Sequence, residues 1–271
     1  MTGQVLLGTQ GWDYPGWMGP FYPHSARRAD LLSLYARAFP TVELDSTFYA
    51  IPAEPVVAAW RDAVPAGFVF ALKVPQEITH EKRFVEVDQR LARFLNRAAG
   101  LGDKLGPLLI QMSPDFRATD ATRAALFTFL RSLPAEFRWA IEFRQPQWLT
   151  PEVLDRLREQ NVALALAEGR WIKRGVVLDL VLEPTSDFSY IRWSGSGRRP
   201  ADPVRTPVDR TREMGVWAEA LQILASRVPT VFGYFSNQFQ SHAPASAREM
   251  QKLLGMEPVE PTMLREQAEL F

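Results

Sequence analysis

The chain has 271 residues, 46% hydrophobic and 23% charged, which supplies enough apolar material for one large core and excludes a disordered body. Lys+Arg and Asp+Glu balance at 31 each, so no global field holds the protein on nucleic acid or an anionic membrane, and any polyanion site has to be local. The absence of cysteine excludes disulfides, thiolate metal sites and cysteine nucleophiles; with no basic-then-apolar leader at Met1–Val5 and no 18-residue apolar run, the reading is a cytoplasmic protein without a membrane segment.

Eight short β-rich runs recur along the chain, at Val5–Gly8, Thr41–Leu44, Val69–Lys73, Leu108–Gln111, Trp139–Glu142, Val162–Leu166, Tyr190–Arg192 and Thr230–Tyr234. Their starts lie about 32 residues apart on average, close to the length of one strand–helix unit. Helical patterns fill the gaps at Arg28–Phe39, Pro55–Ala63, Asp88–Ala99, Ala121–Leu133, Pro151–Gln160, Arg210–Ala225 and Ala245–Leu254, several of them opening after Asp, Ser, Thr or Pro. Only Trp171–Leu182 lacks a helical pattern and reads as irregular or as a short hairpin. The expectation is an α/β protein with a single (β/α)₈ TIM-type barrel over residues 1–254. Residues 255–271 read as a linker, Gly255–Pro261, and a short flexible tail, Thr262–Phe271.

Barrel strands are normally apolar on both faces, one packing the bore and the other the helices, so charges that end them need a reason. Period-two alternation puts Glu142 on one side with Ala140 and Arg144, and Lys73 on one side with Ala71 and Val69. In a barrel, Glu43, Lys73, Gln111, Glu142, Arg144 and Arg192 then converge at the C-terminal mouth. Glu43 and Glu142 are candidates for acid and base work, while Lys73 and the arginines stabilise developing negative charge. The competing reading is a structural ion-pair network that closes the top of the bore.

The first loop, Gln10–Pro23, carries five aromatics on a Gly/Pro-rich backbone, among which Trp12 and Tyr14 are candidates to stack a sugar or base. An ordered lid is the alternative. Phe48, Tyr49, Trp148 and Trp193 raise the same question. After the seventh run, Ser194-Gly195-Ser196-Gly197-Arg198-Arg199 offers backbone N–H groups and guanidinium to a phosphate, or is a plain surface loop. His80 follows the third run, and Tyr234, Asn237 and His242 gather around the end of the eighth; either histidine is a candidate acid or base. Three histidines do not build a multinuclear centre, which leaves at most one carboxylate-bound Mg²⁺ or Mn²⁺.

These residues carry a family resemblance. Gly8-Thr9-Gln10-Gly11-Trp12, Phe39-Pro40-Thr41-Val42-Glu43-Leu44-Asp45-Ser46-Thr47-Phe48-Tyr49, Phe70-Ala71-Leu72-Lys73, Ile78-Thr79-His80, Leu105-Gly106-Pro107-Leu108, Ala140-Ile141-Glu142-Phe143-Arg144 and His242-Ala243-Pro244 resemble the YecE-like family, domain of unknown function 72. The resemblance spans Leu7 to Leu254 and implies a TIM-like barrel of unestablished reaction. Asp45 stands where that family usually has Asn, and Phe239-Gln240 interrupts a stretch that is commonly Asn/Asp-Gly. The likeness to barrel endonucleases that repair abasic DNA is one of fold alone, since this chain lacks their histidine ligands.

The last residues, Gln267-Ala268-Glu269-Leu270-Phe271, look like the pentapeptide by which bacterial DNA enzymes dock on the sliding clamp, with Gln267, Leu270 and Phe271 as the anchors and Ala268 in place of the usual Leu. A terminal helix folded onto the barrel is the plainer reading. The leading functional expectation is an enzyme acting on a phosphate-bearing substrate, DNA or RNA among the candidates. Glu43 and Glu142 would serve as base or metal carboxylates, Lys73, Arg144 and Arg192 would hold phosphate, and His80 would donate a proton. The alternatives are glycoside cleavage by Glu43 and Glu142, and a non-catalytic module that recognises DNA or protein.

Overall fold

Both faces of every strand in a closed parallel barrel have to be covered, and the alternation of this sequence does it unevenly. The computed structural model describes residues 3–195 and 208–266. Arg198 of the expected phosphate loop and Gln267, Leu270 and Phe271 of the expected docking peptide lie outside the described residues. Eight parallel strands, β1 (Gln4–Gln10), β2 (Thr41–Leu44), β3 (Val69–Lys73), β4 (Leu105–Gln111), β5 (Trp139–Glu142), β6 (Val162–Gly169), β7 (Phe188–Gly195) and β8 (Thr230–Phe235), pair in chain order, and β8 returns to β1. The expected barrel is therefore the observed one.

Outward residues such as Val42, Phe70, Ile110, Ile141, Leu166 and Val231 join the large core under the helices, while Leu6, Ala71, Leu109, Ala140, Ala163, Ala165, Phe188, Tyr190, Phe232 and Tyr234 fill the bore. The bore is asymmetric. Alanines on β3, β5 and β6 leave the volume that the rings of β7 and β8 occupy, which is how a closed barrel reaches interior packing density.

The helices are α1 (Leu31–Ala38), α2 (Ser46–Tyr49), α3 (Glu54–Asp62), α4 (Asp88–Ala99), α5 (Asp120–Ser132), α6 (Pro151–Glu159), α7 (Arg174–Asp179), α8 (Thr211–Arg227), α9 (Asn237–Gln240), α10 (Ala243–Leu253) and α11 (Pro261–Glu266). Helix α7, continued by a 3₁₀ turn at Leu180–Leu182, corrects the irregular or hairpin reading of Trp171–Leu182. Gly175 and two adjacent valines weaken its intrinsic helicity, yet Val177 and Val181, one turn apart, are both buried, and tertiary burial outweighs propensity. In the first loop Trp17, Phe21 and Tyr22 are buried in the core, so three of the five aromatics form a packed lid.

The junction of β1 and β2 explains the Gly8-Thr9 pair. The Tyr35 hydroxyl accepts the Thr9 N–H and donates to the Thr41 carbonyl, both at 2.9 Å. A Cβ on Gly8 would stand 2.0 Å from the Thr41 oxygen, so only glycine lets the two strands close there.

The C-terminal segment also departs from expectation. Glu260 pairs with Lys252 at 2.9 Å and with Arg248, Val259 packs on the core, and Leu264 of α11 is fully buried. A free linker beginning at Gly255 is thus replaced by a strap docked on the barrel as far as Leu264. Among the described residues no helix is long and apolar enough to cross a membrane. If the strap is docked, Leu264→Ala lowers the unfolding free energy by about 2–5 kcal/mol in urea titrations, as removal of a fully buried leucine does. An unchanged midpoint would mean the segment is free.

Candidate active site

The inward alternation of the strands continues upward from the bore into polar side chains. In the strand register Gln10 stands opposite Glu43, Gln111 opposite Glu142 and Ala167 opposite Arg192, which puts these residues in one ring at the C-terminal end. Beneath it lie Tyr190 and Tyr234, and Tyr234, expected to touch substrate, instead bonds the Thr41 hydroxyl at 2.8 Å inside the bore.

Arg192 organises the ring. Its Nε and Nη2 donate to the two carboxylate oxygens of Glu43 at 2.8 and 2.7 Å, and its Nη1 donates to Glu142 Oε2. Tyr190 adds a 2.6 Å bond to Glu43, and Gln111 a 2.9 Å bond to Glu142. Arg144 approaches Glu142 at 3.3 Å. All of Glu43, Glu142 and Arg192 are buried, so three guanidinium N–H groups replace the water that the two carboxylates give up.

The two acids respond in opposite directions. Burial pushes Glu43 up, and Asp45 adds to the push against the pull of Arg192 and the bond from Tyr190. Burial also raises Glu142, but Arg192, Arg144 and the hydrogen bonds from Arg192 and Gln111 together override it and hold the group at about 2. Glu142 is a carboxylate at neutral pH, and Glu43 is the more easily protonated of the pair.

Above the ring is a cavity of about 270 Å³. Lys73, Arg144, Arg170 and Arg192 line it together with Asp45, Gln10, Gln111, Ser194, Ser236 and Trp171. Arg170 and Arg144 lie over the Trp171 ring at 4.2 and 5.6 Å. Gly195 closes one wall with φ +66°, where a Cβ would meet the Gln238 carbonyl oxygen at 2.1 Å.

Other expected residues sit elsewhere. Trp12 packs edge-on against Trp60, and Tyr49, 72% exposed, meets the edge of Phe48; neither lines the cavity. Tyr14 donates to the Gln10 carbonyl at 2.6 Å and, with Trp17, Asn237 and His242, walls a separate apolar cavity of about 150 Å³. Asn237 accepts bonds from Trp17 and from the Ala243 N–H, and His242 caps α10 through Nδ1 at 3.2 Å from the Ala245 nitrogen. These are fastenings of the loop after β8. Phe48, Trp148 and Trp193 are buried, the last two in stacks with Phe116 and Phe235. His80 stands behind Phe48, edge to face at 4.9 Å, with Nδ1 bonded to the Thr79 hydroxyl at 2.8 Å. Burial, then Arg144 and Lys73, lower its pKa to about 4, so at neutral pH it is an uncharged ring.

The metal role expected for the carboxylates also finds no fit. The oxygens of Glu43 and Glu142 are taken by Arg192, Tyr190, Gln111 and Arg144, and among the described residues no three His, Asp or Glu side chains gather as a ligand set. Arg170 in the cavity wall carried no signal in the sequence, while Asp45, marked there as a departure from the family pattern, joins it in the wall. Sequence reasoning also missed Glu168, which faces outward from β6, accepts from Trp217 Nε1 and pairs with Arg174 at 3.4 Å and Arg210 at 3.7 Å. Ending the sixth strand at Leu166 hid both Glu168 and Arg170.

Comparison with known proteins agrees with this barrel. The sequence profile of the family described as "Protein of unknown function DUF72" matches residues 6–269. The chain is 33% identical to UPF0759 protein YecE of Escherichia coli K12 over 146 residues, 53% of this chain and 50% of that protein, and so spans about half the length of that relative. It is 25% identical to UPF0759 protein YunF of Bacillus subtilis over 278 residues, covering 93% of this chain and 95% of that one. A DUF72 family protein of Thermotoga maritima superposes with a TM-score of 0.79 at 22% identity, over 93% of this chain and 99% of that one. One from Enterococcus faecalis gives 0.76 at 23%, over 94% and 97%. At such identities the solved structures speak for the fold.

Two outcomes follow from the Arg192 bridge. Arg192→Met strands two buried carboxylates and lowers stability by about 3–5 kcal/mol in denaturant titrations, a loss that adding Glu43→Gln partly reverses. Glu142, held at about 2 against an ordinary 4.5, contributes stability in full above about 4.5 and loses it as pH falls toward 2. Glu142→Gln therefore flattens the pH dependence of unfolding in that window, and an unaltered slope would contradict the ion pairing.

Proposed function

The chain belongs to the DUF72 family, and we propose that its barrel mouth is the active site of an enzyme acting on a small phosphate-bearing substrate. The observation that carries this reading is the imbalance of the cavity wall. Lys73, Arg144, Arg170 and Arg192 line it against two carboxylates, Glu142, which is bonded to Arg192 and Arg144, and Asp45, which stands 3.6 Å from Lys73 and 3.8 Å from Arg192. Arg170 has no carboxylate partner among the described residues and rests on Trp171. Arginine suits this place because its planar fork matches phosphate and stacks on an aromatic ring. The Ser194 and Ser236 hydroxyls offer further donors on the β7 and β8 side, where barrels often hold phosphate.

In this reading Arg144 and Arg170 hold the phosphate, Glu142 and Arg192 fix the floor, and Lys73 with Asp45 faces the reacting carbon. A cavity of about 270 Å³ suits a phosphorylated metabolite or a single nucleotide drawn out of a strand, and not a duplex. The tail's likeness to a clamp-docking peptide adds a route to DNA on which this reading does not depend. Glycoside cleavage has less support: the Arg192 guanidinium fills the space between Glu43 and Glu142, where a sugar and its attacking water would have to fit. Recognition without chemistry leaves the burial of Lys73 unexplained.

Calorimetric titration with inorganic phosphate and phosphorylated compounds tests the proposal. Wild type binds, and Arg144→Ala combined with Arg170→Ala weakens binding by about tenfold or more, since each charge-assisted bond contributes about 1.5–3 kcal/mol. Equal affinity in the double variant would place the anion elsewhere.

A further inference from the structure

Three residues of the motif Asp45-Ser46-Thr47-Phe48-Tyr49, namely Asp45, Thr47 and Phe48, meet at one residue of the neighbouring strand, Lys73. Thr47 Oγ1 accepts the Lys73 N–H at 3.1 Å and donates to the Lys73 carbonyl at 2.7 Å, which pins the backbone at the last residue of β3. Phe48 lies beneath the amine, with Nζ 3.9 Å from the ring centroid. Asp45 Oδ1 stands 3.6 Å from Lys73 Nζ and 3.8 Å from Arg192 Nη2, beyond hydrogen-bond distance of either, and is buried without a hydrogen-bond donor among the described residues.

Lys73 itself is 7% exposed and faces the cavity. Its protein partners there are the ring of Phe48 and the distant Asp45 carboxylate, which do not replace the three hydrogen bonds an ammonium makes in water. Burial is the largest influence and lowers the Lys73 pKa; Asp45 opposes it, Arg192 adds to it, and Glu43 and Glu142 are further counterweights. The chain contains five lysines among its 31 basic residues, so arginine supplies nearly all of its fixed positive charge. A lysine in this position can do what the guanidinium groups beside it cannot, which is to lose a proton and attack.

We propose that Lys73 is an amine nucleophile that forms an iminium with the carbonyl carbon of a phosphorylated aldehyde or ketone bound at the mouth. The inference rests on the phosphate-binding reading above and names the substrate class for it. Asp45 takes one proton from the Lys73 ammonium. The free amine adds to the carbonyl carbon as the C=O electron pair moves to oxygen, and an N–H proton passes to that oxygen to give a neutral carbinolamine. Asp45 then returns its proton to the hydroxyl, the nitrogen lone pair expels water, and the iminium forms with Asp45 again ionised. Ammonium and carbonyl compound become iminium and water, with charge conserved and no redox change.

The test treats the wild-type full chain with dihydroxyacetone phosphate and sodium borohydride, which reduces an iminium to a stable secondary amine, and maps the product by peptide mass spectrometry. The expected result is a saturable adduct on Lys73 and not on Lys82, Lys104, Lys173 or Lys252. Dihydroxyacetone without the phosphate labels at least about tenfold less at the same concentration, in line with loss of a charge-assisted anchor. Lys73→Arg, which keeps the charge, abolishes the adduct. Because the mapping is done on wild type, it does not depend on how the variant folds. If no adduct forms on Lys73, or label spreads over the other lysines, while calorimetry still detects phosphate binding, the lysine inference is overturned and the anion site stands. If phosphate binding also fails, both readings fall.

Discussion

One guanidinium holds two buried carboxylates at the top of this barrel, and most of the mouth follows from that. Arg192 on β7 reaches across to Glu43 on β2 and Glu142 on β5, so a single residue ties three strands on different sides of the bore. Such a bridge is possible because Ala140, Ala163 and Ala165 keep the layer below narrow on one side and the rings of Tyr190 and Tyr234 fill the other. Buried ion pairs are weak contributors to stability compared with well-packed apolar side chains, so a chain selected for stability alone had simpler ways to close a bore. What the bridge does achieve is a fixed charged floor, with the donors and acceptors of the acids satisfied from below and the side.

With the floor committed, the remaining groups divide by chemistry. Arg144 and Arg170 carry charge that does not titrate in water, and both lie against Trp171, which restricts their rotamers before any ligand arrives. Lys73 is the titratable cation of the wall. The stretch from Asp45 to Phe48 surrounds it with a backbone clamp, an aromatic face and a carboxylate. That stretch is also among the motifs by which the family resemblance is legible, and three of its residues, Asp45, Thr47 and Phe48, meet at Lys73.

The sequence alone revealed the barrel and the inner ring because both rest on periodicity. Alternation tells which side of a strand a residue faces, and Ala71, Ala140 and Tyr190 in the bore beneath Lys73, Glu142 and Arg192 are its direct consequence. It does not tell which charges pair, and the commitment of Glu43 and Glu142 to the same arginine was not readable from spacing. Loop residues carry no period at all. Asn237 and His242 look like site residues in sequence and are helix-capping and loop-fastening groups in space, while Trp12 finds Trp60 on α3. Arg170 escaped notice because the sixth run of apolar residues ends before its strand does: Ala167 breaks no pattern, but Glu168 and Gly169 look like a turn.

If Arg192 is a fixed part of the floor, a phosphate ligand has to be taken by Arg144 and Arg170 instead. A crystal structure of the protein grown with saturating phosphate distinguishes the two arrangements. The expected result is phosphate density between Arg144, Arg170 and the Ser194 and Ser236 hydroxyls, with Arg192 unmoved on Glu43 and Glu142. Phosphate bound instead by an Arg192 that has released the two carboxylates, or a mouth that holds none, would contradict that arrangement.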